Sequence, residues 1–221
     1  MAPNGRYLEL ALGFVVGLRE IAAQKPIVAV MDTTAASGGY MAALAAERIF
    51  ARNSTITGSI GVILQTADVT KMLTDLGIET EAIKSAPLKG TPSPFEPLNK
   101  SGRAASQAVV DDMYALFVDL LAKRRGLEPS EARAMADGRV FTGRQAAARG
   151  LVDEIGGEKE ARRWLESNRD ISSALRVYDH ELGEQEDVVE RLMSSVRKSV
   201  LPRRLMLDGL LAVWHPGLGS K

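Results

Sequence analysis

The run Ile27-Val28-Ala29-Val30-Met31, then Thr34-Ala35-Ala36-Ser37-Gly38-Gly39-Tyr40, then Met41-Ala42-Ala43-Leu44-Ala45-Ala46 decides how this chain is read. The first piece is short, apolar and partly β-branched, which predicts a buried strand. The last is Ala-rich with no early breaker, which predicts a helix. Between them one serine precedes two glycines, so the backbone can turn sharply and leave the hydroxyl beside helix N–H groups that lack intrahelical partners. Strand, Ser-Gly-Gly, helix is one way of building an acyl-transfer site, with Ser37 as its nucleophile. The same letters also serve as a plain turn or helix cap, so other residues must decide.

Working outward, Leu8, Leu12, Val15, Val16 and Leu18 recur at near-helical spacing, and Lys25-Pro26 ends a helix read over 7–23. The strand that should precede it in a βαβ unit is missing, so residues 1–6 read as a cut edge. Downstream, strands are read at 48–51 and 78–83, a Gly-punctuated strand or bend at 54–64, and a short helix at 68–76 ending at Gly77. Residues 84–97 hold Pro87, Pro92, Pro94 and Pro97 and can be neither helix nor central strand. A helix follows over 101–124, with Val109, Met113, Leu116, Phe117, Leu120 and Leu121 on one side and Gly126 as its stop. Further helices are expected from Pro129-Ser130-Glu131, at 143–149 and at 158–168, with a turn at Asp137-Gly138-Arg139. Alternating strands and helices indicate an α/β fold. The chain divides into a body, 1–175, and a tail, 176–221, the latter with an amphipathic helix over 186–199 and an apolar stretch at Leu205–Trp214 suited to packing or to a membrane surface.

Composition removes several function classes. Lys+Arg and Asp+Glu are equal at 28 each, so no basic field points to nucleic acid. The chain has no cysteine, which excludes disulfides, thiolate metal sites and a cysteine nucleophile. Its two histidines, His180 and His215, are far from Ser37 in sequence and have no ligand spacing, so no metal is expected. Arg6, Glu9, Arg19 and Glu20 interrupt the start, which does not read as a signal peptide, and no window approaches the ~18–20 apolar residues of a membrane span.

A serine hydroxyl needs a base, and no imidazole lies near. A lysine can serve if burial away from carboxylates lowers its pKa enough to leave it neutral. Lys71, Lys84, Lys89 and Lys100 are candidates. Lys89 lies beside Leu88 and Gly90 with no acidic residue before Glu96, a setting compatible with desolvation, and Lys84 is only five residues earlier. Physical reasoning leaves both open.

The chain resembles the bacterial signal peptide peptidase A family of Ser/Lys endopeptidases, which share a ClpP/crotonase-like fold of stacked β-α-β units. The resemblance runs through Thr34–Tyr40, Thr57-Gly58-Ser59-Ile60-Gly61-Val62, Ile83-Lys84-Ser85-Ala86-Pro87-Leu88-Lys89 and Ala136–Ala146, four blocks in one order. It implies Ser37 as nucleophile, Lys89 as general base and Ser59 as the hydroxyl that orients the lysine. It implies the Gly38 N–H as one oxyanion donor, with a second from an upstream turn where this chain offers Met1-Ala2-Pro3-Asn4-Gly5. An extended apolar peptide, such as a released signal peptide, would lie as a strand along Gly58, Ile60, Gly61 and Val62. No cofactor is implied. Family resemblance further implies a homo-oligomer in which a neighbouring copy completes the groove, and an extracytoplasmic catalytic domain at the cytoplasmic membrane. As given, the chain reads as soluble or membrane-peripheral, with its first strands missing.

Two other readings carry distinct expectations. A catalytically impaired fragment acting as a binding or assembly module would keep the fold but leave Ser37 unreactive. Acyl-CoA chemistry, as in crotonases, would commonly use an acidic base, whereas the loop candidates here are lysines.

Overall fold

A computed structural model of the chain describes residue 13 and residues 15–178. By contact pattern the chain divides at Leu175/Arg176, and the description below concerns the first unit. The tail helix read at 186–199, the apolar stretch at Leu205–Trp214 and the upstream turn at residues 1–5 lie outside the described residues.

Helix α1 covers residues 15–22. It leads into β1 (Val28–Met31) and β2 (Thr34–Ala36), and then helix α2 (Gly38–Ala43). Strands β3 (Arg48–Ala51) and β4 (Ile56–Gly58) follow. After the short helix α3 (Thr70–Asp75) and a long irregular stretch come α4 (Lys100–Arg125) and α5 (Pro129–Met135). Strand β5 (Val140–Thr142), helix α6 (Gly143–Ala147), strand β6 (Glu154–Ile155) and helix α7 (Glu158–Arg169) complete the unit.

The strands form two small sheets. In one, β3 pairs in parallel with β1 (Val28 opposite Arg48) and with β6 (Phe50 opposite Glu154). In the other, β4 pairs in parallel with β2 (Ala36 opposite Gly58) and antiparallel with β5 (Gly58 opposite Val140). Parallel neighbours joined through α2 are the α/β arrangement that the alternating pattern predicts. Tyr40, Met41, Leu44, Ile49, Phe117 and Leu121 are fully buried or nearly so and form the centre of the core.

Helix α4 starts and stops as its sequence dictates. The Asn99 side chain accepts from the Gly102 N–H at 2.8 Å, and Gly126 ends the helix in a left-handed conformation with φ 64°. Its inner face is narrower than the apolar spacing suggests, because Phe117, Val118 and Leu121 are buried while Val109 and Leu116 stand half exposed. The last turn fastens the body together. Arg124 donates to the carbonyls of Leu44 and Ala46 at 2.6 and 2.8 Å, just past the end of α2. Arg125 donates to the Gly150 carbonyl and pairs with Asp153 at 2.8 Å.

One local expectation fails. Residues 78–83 form no strand; Ile78 and Ile83 are exposed, the latter at 97%, and no strand lies alongside to take their main-chain bonds. The strand or bend read at 54–64 is a short strand, Ile56–Gly58, that turns at Gly58 and Ser59, where φ is 79° and 51°.

Candidate active site

Ser37 sits between the end of β2 and the start of α2, with φ 53° and ψ −118°. A non-glycine residue there is strained, at a cost of roughly 1–3 kcal/mol, and such sharp strand-to-helix turns present a side chain outward. Its hydroxyl makes no capping bond to the helix although Ser37 occupies the cap position. It therefore remains available for chemistry beside the N–H groups of the first helical turn, that of Gly38 included.

A second strained corner lies alongside. The Ser37 N–H donates to the carbonyl of Gly58, the residue before Ser59, at 2.8 Å, just past the last paired residues of β2 and β4. Ser59 also has positive φ, 51°, and its N–H donates to the Arg139 carbonyl at 2.8 Å. The buried Thr57 hydroxyl donates to the Ala35 carbonyl at 2.6 Å and so ties β4 to β2 beside the serine. Three of the four sequence blocks, those holding Ser37, Ser59 and Arg139, thus converge on one corner of the second sheet. Gly61 and Val62, half-buried, continue from that corner, whereas the Ile60 side chain is fully buried in the core and offers only its main chain to a ligand.

Tyr40 was not singled out by sequence reasoning beyond its place in the Ser-Gly-Gly-Tyr run. It is fully buried, its hydroxyl donates to the Leu151 carbonyl at 2.8 Å, and burial pushes its phenol well above the ordinary tyrosine range. That bond anchors α2, and with it Ser37, to the segment before β6. The signal available was an aromatic with a polar tip inside an otherwise small, apolar run.

The fourth block lies in the irregular stretch between α3 and α4. Lys89 is on an exposed turn there, with its N–H donating to the Ala86 carbonyl at 3.0 Å, so the desolvation that its apolar neighbours suggest is not present in the single chain. Its amine is hydrogen-bonded to neither Ser37 nor Ser59. Lys84, the other candidate, is only 18% exposed and is ion-paired with Glu96. Its amine is thus engaged by a carboxylate rather than directed at either serine.

The description of peptidase family S49 matches residues 19–172, a span that includes both strained corners and both loop lysines. The chain belongs to peptidase family S49. A relative of this S49 chain, the chloroplastic serine protease SPPA of Arabidopsis thaliana, is 33% identical over 88% of this chain and 29% of that protein. Protease 4 of Haemophilus influenzae is 30% identical over 85% of this chain and 31% of that one. A protein of Synechocystis sp. named as a protease is 39% identical over 66% of this chain and 53% of that one. The chain thus spans at most about half the length of these curated relatives. Among solved structures, a ClpP1 mutant from Listeria monocytogenes matches 66% of this chain and 67% of its own at 15% identity and TM-score 0.39. An enoyl-CoA hydratase/isomerase from Marinobacter aquaeolei matches 86% of this chain and 60% of its own at 18% identity and TM-score 0.40.

Proposed function

We propose that this S49 chain is a serine endopeptidase in which Ser37 attacks the scissile carbonyl and Lys89 takes its proton. Ser59 orients the lysine amine, and the Gly38 N–H stabilises the oxyanion with help from the start of α2. The observation that carries the reading is Ser37 itself, a strained residue at a strand-to-helix turn whose hydroxyl does not cap its helix. The main chain from Gly58, whose carbonyl accepts from the Ser37 N–H, to Val62 would pair with an extended apolar peptide, a released signal peptide among the candidates. After attack, collapse of the tetrahedral intermediate expels the amine, which takes the proton back from Lys89. Water then releases the acyl group from Ser37 Oγ by the same route.

Lys89 must be shielded from water to act as a base at neutral pH. A second copy of the chain covering the loop would do this. Exposed apolar residues on the same stretch, Leu76, Ile83 and Phe95, and Ile63 before α3, are compatible with such assembly. The exposure of Lys89 in the single chain is also the observation that favours the competing reading, an inactive binding or assembly module.

Fluorophosphonate labelling separates the two. A peptidase labels at Ser37, and Ser37→Ala abolishes both labelling and hydrolysis of an apolar peptide ester. An assembly module leaves Ser37 unlabelled at every protein concentration. If Lys89→Ala hydrolyses normally while Lys84→Ala is inactive, the base is Lys84.

A further inference from the structure

The stretch from Leu76 to Asn99 contains no helix or strand, so whatever fixes Lys89 in space must come from side chains and isolated main-chain bonds. Its second half is tied down residue by residue. The Val69 N–H donates to the Pro94 carbonyl at 2.9 Å, and the Thr80 hydroxyl donates to the Phe95 carbonyl at 3.2 Å. The next residue, Glu96, pairs with Lys84. Beyond it, Leu98 packs on Gly102 and Asn99 caps α4, and inside the loop Thr91 packs on the same glycine, where an added Cβ would meet Thr91 Cγ2 at 2.6 Å.

These contacts fix Glu96 to the body, and the ion pair then fixes Lys84 to Glu96. The segment from 84 to 96 becomes a closed loop in which Thr91, packed on Gly102, holds the chain two residues after Lys89, and the ion pair holds it five residues before. Closing a loop removes most of the positions its tip could otherwise sample. The pair has a second consequence. Glu96 is the one acidic residue between Glu81 and Asp111. If released from Lys84, its carboxylate would be the nearest in sequence able to pair with Lys89.

We propose that Lys84 and Glu96 are a positioning pair, which closes the loop carrying Lys89 and keeps the loop's carboxylate engaged away from that amine. The pair acts through Lys89 and touches no substrate, and the inference rests on the reading of Lys89 as base. Lys84 is therefore neither a spare base nor an incidental surface charge.

The test uses the full chain and a fluorogenic apolar peptide amide, with thermal melting recorded for every variant. Lys84→Met and Glu96→Gln should each lower kcat by about 10- to 100-fold, the scale of a misplaced catalytic group, while KM changes less than about twofold and melting is unaltered. Lys84→Arg should stay close to the parent, and the exchanged pair Lys84→Glu with Glu96→Lys should recover most of the lost kcat. That recovery is decisive, because an exchanged pair can restore a closed loop and cannot restore a base at position 84. Lys89→Ala separates the two levels of the argument. If it retains activity, the dyad reading fails and the pair has nothing to position. If it is inactive while Lys84→Met and Glu96→Gln keep the parent kcat, the dyad stands and the positioning pair is overturned. Loss in Lys84→Met without recovery in the exchanged pair also overturns it, as does a fall in melting that accounts for the loss in all variants. A parent chain that neither hydrolyses the peptide nor labels at Ser37 overturns both.

Discussion

Gly58 has φ +79°, and a Cβ added there would stand 2.7 Å from Phe141 Cδ2 and 3.0 Å from the Arg139 carbonyl oxygen. Both facts bear on Ser37, because the Gly58 carbonyl accepts from its N–H. Gly58→Ala should cost about 2 kcal/mol, as strain at a left-handed position combines with overpacking, and chemical denaturation measures it. If Ser37 is the nucleophile, fluorophosphonate labelling should fall as well, while a variant that melts and labels like the parent would show that the corner is not under constraint. At Tyr40 the expectation is milder. Tyr40→Phe keeps the packing and removes the donor to the Leu151 carbonyl, leaving a buried acceptor short of a partner at a cost of about 1–2 kcal/mol. The single motifs were readable at this scale, since Ser-Gly-Gly and Gly-Ser-Ile-Gly advertise turns by composition. Their adjacency was not, because the register between β2 and β4 depends on two segments about twenty residues apart in sequence meeting as neighbours.

Between elements, α4 is the strut. Its last two arginines hold the end of α2 and the approach to β6, and the Arg125–Asp153 pair is largely enclosed, with side chains 12% and 19% exposed. Burial alone would raise the Asp153 carboxyl. The Arg125 guanidinium, the Ile49 N–H at 2.7 Å and the charge of Arg48 outweigh it and hold the carboxyl below the usual range. A carboxyl lowered on folding contributes stability above its unfolded value, near pH 4, and that contribution is lost as pH falls through the folded value. Asp153→Asn should therefore be less stable than the parent at pH 7, with the difference shrinking as pH drops below about 4 in a melting series. Arg125→Ala strands the carboxylate and should cost about 3 kcal/mol. Helix α6 shows the same dependence on close approach. Thr142 and Gln145 form a reciprocal cap, and a Cβ on Gly143 would lie 2.0 Å from the Arg52 carbonyl oxygen. Sequence placed most helices because caps and stops are local, as at Asn99, Gly126 and Thr142. It misjudged 78–83 because a short run bounded by β-branched isoleucines states a propensity for a strand and says nothing about whether a partner strand is in reach.

For the whole molecule, the exposed loop lysine and the exposed apolar residues around it lead to a concentration-dependent expectation. If a second copy shields Lys89, sedimentation velocity should show an assembly, and Ile83→Asp should shift it toward single chains and lower hydrolysis without lowering the melting temperature. A variant that remains assembled and active would remove Ile83 from the contact. Among the described residues no helix is long and apolar enough to cross a membrane. The sequence by itself determined the α/β class, the strand-turn-helix around Ser37, the absence of any thiol chemistry and the pair of loop lysines, because each is a matter of local pattern or composition. Only the tertiary structure decided that Ser37 and Ser59 occupy neighbouring strained corners, that Tyr40 anchors α2, and that Lys84 is taken by Glu96 while Lys89 is left exposed. Those are contacts between distant segments, set by which strands pair and which side chains are buried, and no spacing within one segment encodes them.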